Sequence, residues 1–454
     1  MTNIASSEAR LARRLGLFDI TMIVMGGIIG SGIFINPYVV AQQVPSTILI
    51  FAAWAFGGLI ALAGAFIYAE LSSQTSASGG QYVYLRDAFH PGLAFVYGWA
   101  LLLVTQTGGM AAVAVTFAKY ICSFGHAQAS DNVAAFLAAL ALAVLTIINC
   151  LGVRAGSTTQ NLFMILKLVA IAALVAFGLS VTGAPPTAIA RSTSSPPTLW
   201  NSLMAFGAAL IPVQFAYGGW QTSCFVAGEV REPRKNLPRG LLLGVLGVIA
   251  VYLSVNFVCV HALGPQGLGE TRTPASAVMR MALGENGARI IAVGIAISTV
   301  GFLSQSMLTA PRVYFAMAED GLFFAKLARL NRARVPAFAI ALQGVLAIVI
   351  TLSGRYEQIL NYVISVDVIF FALTAATVFV FRRRVRAGLA FNRSEATFRV
   401  PGHPLTTLFF IAACAGVGFS TIYRYPHNSA IGLGIMLSGL PAYLFWRARK
   451  AASQ

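Results

Sequence analysis

The stretch that most constrains this chain runs Met25-Gly26-Gly27-Ile28-Ile29-Gly30-Ser31-Gly32-Ile33-Phe34, inside an apolar run from Leu17 to about Ala41. Each glycine in a helix interior costs about 1 kcal/mol against alanine. Irregular backbone at membrane depth persists only where protein or a water-filled cavity receives its polar groups. The spacing therefore predicts a helix that breaks at Gly30–Gly32. The second half-helix then presents bare N–H groups to an anion. A small-residue stripe packed on a neighbouring helix is the competing reading of the same residues.

Composition settles the environment. Of 454 residues, 57% are hydrophobic and 10% charged, where soluble domains carry about 25% charged residues. Mean hydropathy is +0.77. Apolar runs long enough to cross a bilayer recur along the chain, so the fold class is an all-α polytopic membrane protein. No segment shows the short polar alternation of an outer-membrane barrel. The five cysteines, Cys122, Cys150, Cys224, Cys259 and Cys414, lie in or beside apolar runs without paired spacing and read as small core residues. The first apolar run is too long for a signal peptide and reads as the first span.

Twelve spans are expected, near 17–42, 48–74, 92–123, 133–151, 157–181, 200–228, 238–263, 287–318, 336–353, 357–381, 405–424 and 428–446. With the N-terminus inside, 23 of the 31 Lys and Arg fall on inner segments, among them Arg10, Arg14, Arg86, Arg154, Arg312, Arg382 and Arg393. Seven, including Arg191 and Arg355, fall on the outer side, and Lys167 lies within a span. This asymmetry predicts an inner (cell) membrane protein with both termini cytoplasmic. It also accounts for the net charge of +17 without nucleic acid; the lipid bilayer is the partner it implies. Segment 264–286 is expected to form a short helix on the outer surface, and 319–335 an amphipathic helix on the inner surface.

The sixth span repeats the defect of the first. It reads Pro212-Val-Gln-Phe215-Ala216-Tyr217-Gly218-Gly219-Trp220-Gln221, with Pro212 and Gly218-Gly219 expected to interrupt it. Paired interrupted spans in matching positions point to an inverted-repeat transporter. The halves would be 1–181 (spans 1–5) and 200–386 (spans 6–10), with 403–446 carrying spans 11 and 12.

These breaks, with Tyr68-Ala-Glu70-Leu, Ser78-Gly-Gly-Gln-Tyr82, Glu229-Val-Arg-Glu-Pro-Arg-Lys-Asn-Leu-Pro-Arg239 and Arg312-Val-Tyr-Phe-Ala-Met-Ala-Glu-Asp-Gly-Leu322, resemble the L-type amino acid transporter (LAT) family of the amino acid–polyamine–organocation (APC) superfamily, as a bacterial-type member. The resemblance runs from span one to span ten. It implies a LeuT-like five-plus-five fold that moves neutral L-amino acids of small to medium size by alternating access, as a sodium-independent exchanger. Carried over by position, the substrate carboxylate meets N–H groups at Ser31 and Gly32, beside Gly30. The ammonium meets carbonyls at Ile28, Phe215 and Gly218, with Ala216 in the same unwound stretch. Phe215 caps the pocket and Gln221 shapes its side-chain end. Phe302 departs from family members with a small polar residue there, and its bulk speaks against large aromatic substrates.

Lys167 is mid-span in an apolar segment, where a lysine costs about 2.5–3.5 kcal/mol. Its ammonium requires acceptors, and the unwound carbonyls near Gly30 and the hydroxyls of Ser298 or Thr299 are within the expected reach. The resemblance places it where related sodium-coupled folds hold Na⁺, as a built-in cation. Asp367 on span ten has three open readings: a proton site, a partner for a cationic substrate, or a carboxyl hydrogen-bonded within the bundle. Glu70 is expected to anchor an inner loop or gate, with Arg86 or Arg312 as partner. No histidine lies mid-span, no metal or cofactor site is expected, and there is no Walker A motif, carboxylate pair or Gly-x-Ser-x-Gly, so neither an enzyme nor an ATPase is supported. The runner-up is a proton-coupled permease for cationic amino acids or polyamines. Loop 124–132 has no cysteine, so no obligatory ancillary subunit is expected.

Overall fold

Leu-, Ala-, Val- and Ile-rich runs satisfy every backbone polar group locally only as helix, and helices dominate the computed structural model. The structure describes residues 13, 15–75, 77–122, 131–151, 156–182, 199–353, 356–389 and 396–452. Arg10, Arg14, Arg154, Arg191, Arg355, Arg393 and most of loop 124–132 lie outside the described residues.

The first span is two helices, α1 (Leu17–Ile28) and α2 (Gly32–Gln43), bent by 41°. Then come α3 (Thr47–Gln74), the short α4 (Gln81–Ala88), α5 (Pro91–Cys122), α6 (Asp131–Leu151) and α7 (Gly156–Leu179). The second half has α8 (Leu199–Tyr217), a 3₁₀ segment (Trp220–Glu229), α9 (Pro233–Glu270), α10 (Pro274–Thr309), α11 (Pro311–Glu319), α12 (Ala337–Ser353) and α13 (Tyr356–Arg386). It is followed by α14 (Leu405–Arg424), α15 (Pro426–Leu437) and α16 (Gly439–Ala452). Among the described residues, ten helices are long and apolar enough to cross a membrane, eleven with the bent pair, and Ala337–Leu352 is a shorter apolar helix. The chain is therefore a multi-pass membrane protein. Large apolar side chains on α6, α7, α10 and α14, such as Phe136, Ile147, Leu162, Val169, Ile290 and Phe419, face outward, as a hydrocarbon surround requires.

Four expectations are corrected. Pro212 does not interrupt its span: α8 runs through it, and Asn36 on α2 donates to the Pro212 carbonyl at 2.7 Å. Segment 319–335 is not an amphipathic helix. It holds one 3₁₀ turn, Ala325–Ala328, and the Asn331 side chain organises the rest, donating to the Cys150 carbonyl and accepting from the Ala333 and Val335 N–H groups. Segment 264–286 is not a single short helix, because α9 turns at Gly264 and runs to Glu270 while α10 starts at Pro274 and turns at Gly284. Glu70 pairs with neither expected arginine. Arg382 grips it with two nitrogens, at 2.8 and 2.6 Å, and the Val400 N–H adds a third bond at 2.7 Å.

One end of the bundle is tied by charge. Arg86 binds Asp320 and Asp87, Tyr82 donates to Asp320 at 2.7 Å, and the buried Arg312 pairs with Glu229 at 2.9 Å. Burial and the neighbouring Asp320 push the Tyr82 phenol well up from its ordinary value, so it stays a donor at neutral pH. Leu15 exchanges backbone bonds with Glu229 and Arg231, which closes the N-terminal segment onto the 3₁₀ stretch. Arg382→Ala would leave the Glu70 carboxylate, 2% exposed, without its cation. Breaking a buried pair from one side costs about 3 kcal/mol. A clear drop in detergent melting temperature is expected, while Arg384→Ala, on the exposed side of the same helix end, should cost much less.

Candidate functional site

α1 ends because its last carbonyls are taken by something other than the next helical turn. The Gly30 N–H turns back to the Ile28 carbonyl at 2.9 Å, across Ile29 at φ −75° and ψ 87°, close to an inverse γ-turn. α2 then begins at Gly32, and Ser31 does not cap it with its side chain. The Gly32 and Ile33 N–H groups therefore have no acceptor within the helix, whereas the Phe34 N–H turns back to the Ser31 carbonyl at 3.1 Å, and the buried Ser31 hydroxyl has no partner among the described residues.

α8 ends at Tyr217, and Gly219 takes φ 114°, a left-handed value that glycine adopts without strain. Space makes the same demand. A Cβ on Gly219 would sit 2.0 Å from the Gly27 carbonyl oxygen, and one on Gly27 would sit 2.9 Å from the Gly219 oxygen. The two breaks thus pack backbone against backbone. Below them, the Tyr252 hydroxyl on α9 is 3.0 Å from both the Ile28 and the Ala216 carbonyls, one from each broken span. Gln305 on α10 donates to Thr222, which donates to the Gly219 carbonyl.

A cavity of about 80 Å³ opens beside the breaks. Of the residues singled out from sequence, Ile28, Gly30, Ser31, Gly32, Phe215, Gly218, Gln221 and Asp367 line it. Ala216 does not: it packs on Gly32, where a Cβ would come within 3.0 Å of it. Gln221 turns its amide oxygen to the Gly219 N–H at 3.0 Å, which buttresses the break as well as lining the wall. Phe302 lies over Gly30 and, with Trp220, Phe371 and Phe410, supplies an aromatic wall. Among the described residues, no Lys or Arg lines this cavity.

Lys167 lies behind it, 1% exposed. Its ammonium donates to the Ile29 carbonyl at 2.7 Å and more weakly to that of Gly26 at 3.4 Å. The Lys167 amine thus sits at the C-terminal end of α1, where the helix dipole favours positive charge. Ser298 reaches the Gly30 carbonyl at 3.4 Å, whereas Thr299 bonds within its own helix, to the Ala296 carbonyl. Glu70 is remote from the cavity, in the ion-paired end. Among the described residues no cluster of His, Cys, Asp and Glu is arranged to hold a metal.

Sequence reasoning missed Tyr252, Gln305 and Thr222. Tyr252 carried the one usable signal: a phenol inside Val-Ile-Ala-Val-Tyr-Leu-Ser must bury its hydroxyl on an acceptor.

Comparison with known proteins agrees with this arrangement. The family model for amino acid permease matches residues 15–445. The chain is 32% identical to the serine/threonine exchanger SteT of Bacillus subtilis (strain 168), over 97% of this chain and 98% of the relative. It is 30% identical to the large neutral amino acids transporter small subunit 2 of Homo sapiens, over 96% and 81%. It is 29% identical to the human b(0,+)-type amino acid transporter 1, over 84% and 79%.

Two substitutions test the geometry. Gly219→Ala is expected to abolish the monodisperse peak of detergent-purified protein, because neither Gly27 backbone nor left-handed φ accommodates a Cβ. Lys167→Ala removes a charge-assisted bond of about 1.5–3 kcal/mol, so initial transport rates should fall about 10- to 100-fold. Wild-type rates in that variant would contradict the reading.

Proposed function

Because the chain belongs to the amino acid permease family, in its L-type amino acid transporter branch, we propose that this amino acid exchanger carries neutral L-amino acids of small to medium size without sodium. The carrying observation is the pair of helix breaks that meet at Gly27 and Gly219 beside one cavity. An α-amino acid is a zwitterion, and the two breaks offer what its ends need. The bare N–H groups at the start of α2 suit the carboxylate, and the carbonyls at the ends of α1 and α8 suit the ammonium. The Ile28 carbonyl already accepts from Gly30 and Tyr252, so binding there exchanges a bond rather than filling a vacancy. Substrate size follows from Phe302, whose ring occupies the space over Gly30.

Lys167 supports sodium independence. A fixed ammonium bonded to the Ile29 carbonyl does locally what a coupling ion does elsewhere: it neutralises the C-terminal end of a broken helix. In this reading the halves 1–181 and 200–386 are inverted repeats of a LeuT-like fold, 403–446 adds the last pair of twelve spans, and both termini are cytoplasmic in the inner membrane. The arginine-rich, ion-paired end is then the cytoplasmic gate. Arg312–Glu229 and Arg86–Asp320 bridge that end, and alternating access would require them to part. The protein acts as a single chain, without an ancillary subunit and without catalysis.

Reconstituted liposomes test this. Vesicles preloaded with unlabelled L-serine should take up radiolabelled neutral amino acid faster than empty ones, equally in Na⁺ and in K⁺. Equal uptake by loaded and empty vesicles would indicate a channel. Uptake that needs Na⁺ would remove the role given to Lys167. Inhibition by arginine or putrescine stronger than by serine, with dependence on a pH gradient, would favour the permease for cationic amino acids or polyamines.

A further inference from the structure

A second cavity, of about 120 Å³, lies at the charged end of the bundle, apart from the helix breaks. One water needs about 10–15 Å³ of such space, so this cavity takes a group of several heavy atoms. Glu70 and Gln74 line it from the end of α3, Arg382, Val385 and Arg386 from the end of α13, and Arg399 from the segment leading to α14. Arg382 and Arg386 are about one helical turn apart and share a face. The arginine run they belong to is not uniform, because Arg384 donates instead to the Asp87 and Ala88 carbonyls of α4.

The walls are held in place. Thr397 donates to the Arg234 carbonyl at 2.8 Å, the Val400 N–H donates to Glu70 at 2.7 Å, and Phe398 stacks on Phe66 with ring centres 6.2 Å apart. The backbone carrying Arg399 is thus anchored on both sides. Three arginines against one carboxylate leave the lining net positive among the described residues. Gln74 makes a separate demand. It is 6% exposed, and its Oε1 has no donor among the described residues. A buried acceptor in that state costs free energy until a hydrogen reaches it.

We propose that this cavity binds a phosphate group with a hydroxyl beside it, supplied by the headgroup of an anionic glycerophospholipid. Guanidinium groups take phosphate oxygens through paired, charge-assisted bonds. Arg386 and Arg399 do so here, while Arg382 keeps Nε and Nη2 on Glu70. A headgroup hydroxyl donates to Gln74 Oε1, which no bare phosphodiester can do. A zwitterionic headgroup would bring its own cation among the arginines and is disfavoured. Apolar side chains stay exposed on the same helix ends: Val385 in the lining, Leu389 beyond it, and Leu405 and Leu408 at the start of α14. They suit acyl chains, and basic pockets between transmembrane helices hold acidic headgroups in this way.

The test is a binding titration of the purified full chain in detergent, read by native mass spectrometry. The probes are phosphatidylglycerol, phosphatidylmethanol and phosphatidylcholine with identical acyl chains. Phosphatidylmethanol keeps the phosphodiester charge and lacks the hydroxyls. Phosphatidylglycerol should bind at least about tenfold tighter than phosphatidylcholine, and about 2- to 10-fold tighter than phosphatidylmethanol. Arg386→Ala and Arg399→Ala should each weaken phosphatidylglycerol about tenfold. Arg383→Ala, exposed in the same run but outside the lining, should change it much less. Gln74→Leu should erase the preference over phosphatidylmethanol and spare the preference over phosphatidylcholine. If Gln74→Leu gives no folded protein, the wild-type ratio of those two anionic lipids decides the hydroxyl. Glycerol 3-phosphate and inorganic phosphate are the soluble competitors: failure to displace the lipid supports a membrane source, and displacement at concentrations equal to the lipid's overturns it. Equal binding of phosphatidylglycerol and phosphatidylmethanol by the wild type overturns the proposal. So does an equal loss in Arg383→Ala and Arg386→Ala, the result that diffuse surface charge gives. The readout is binding, so it does not depend on which substrate the protein carries.

Discussion

Everything in this molecule hangs on main chain touching main chain at mid-bundle. Gly27 and Gly219 approach so closely that neither tolerates a side chain, and that contact brings the two interrupted helices to one cavity. Two continuous helices would bury their own amides and carbonyls and leave nothing for a ligand. Two interrupted ones carry unpaired backbone groups in a low-dielectric interior, where each is costly unless satisfied. The structure answers that cost with particular side chains: Lys167 on the Ile29 carbonyl, Tyr252 between the Ile28 and Ala216 carbonyls, Gln221 on the Gly219 N–H, and Thr222 on the Gly219 carbonyl. What remains unpaired, the start of α2 and the Ser31 hydroxyl, faces or adjoins the cavity.

The same economy explains how charge is distributed. A chain with 10% charged residues concentrates its cross-element ion pairs at one end, where Glu70, Arg86, Glu229, Arg312, Asp320 and Arg382 link segments distant in sequence. Among the described residues, two ionisable side chains lie deep instead, Lys167 and Asp367. They occupy different places: Lys167 is sealed behind the broken helix, and Asp367 opens onto the cavity. The first is suited to a fixed counter-charge, the second to contact with whatever enters.

Much of the fold was legible in the sequence because hydrocarbon imposes simple rules. Run length located most helices to within a few residues, although α9 runs on to Glu270 and α10 starts at Pro274, well before the expected 287, and the Gly-Ser-Gly and Gly-Gly clusters marked both breaks. Pro212 misled because proline in a membrane helix need not break it: α8 runs through it, and Asn36 on α2 holds the Pro212 carbonyl. The partner of Glu70 was missed for a different reason. Arg382 is 312 residues away and sits in a run of arginines that reads as a solvated helix end. Segment 319–335 has the composition of an amphipathic helix, yet one asparagine side chain with three bonds outweighs that weak periodicity. The π-helical turn at Leu101–Thr105 left no pattern at all, since a one-residue bulge does not alter apolar composition.

The central claim is that bare backbone at two helix breaks grips both ends of an α-amino acid. The most direct measurement is calorimetric titration of the purified protein with L-threonine, L-threonine amide and N-acetyl-L-threonine. The amide lacks the carboxylate and the acetylated form lacks the ammonium, while both keep the side chain. The account predicts that each derivative loses at least about tenfold in affinity, the worth of one charge-assisted hydrogen bond. Binding of either derivative as tightly as threonine would show that one break does not hold the substrate, and would contradict the account.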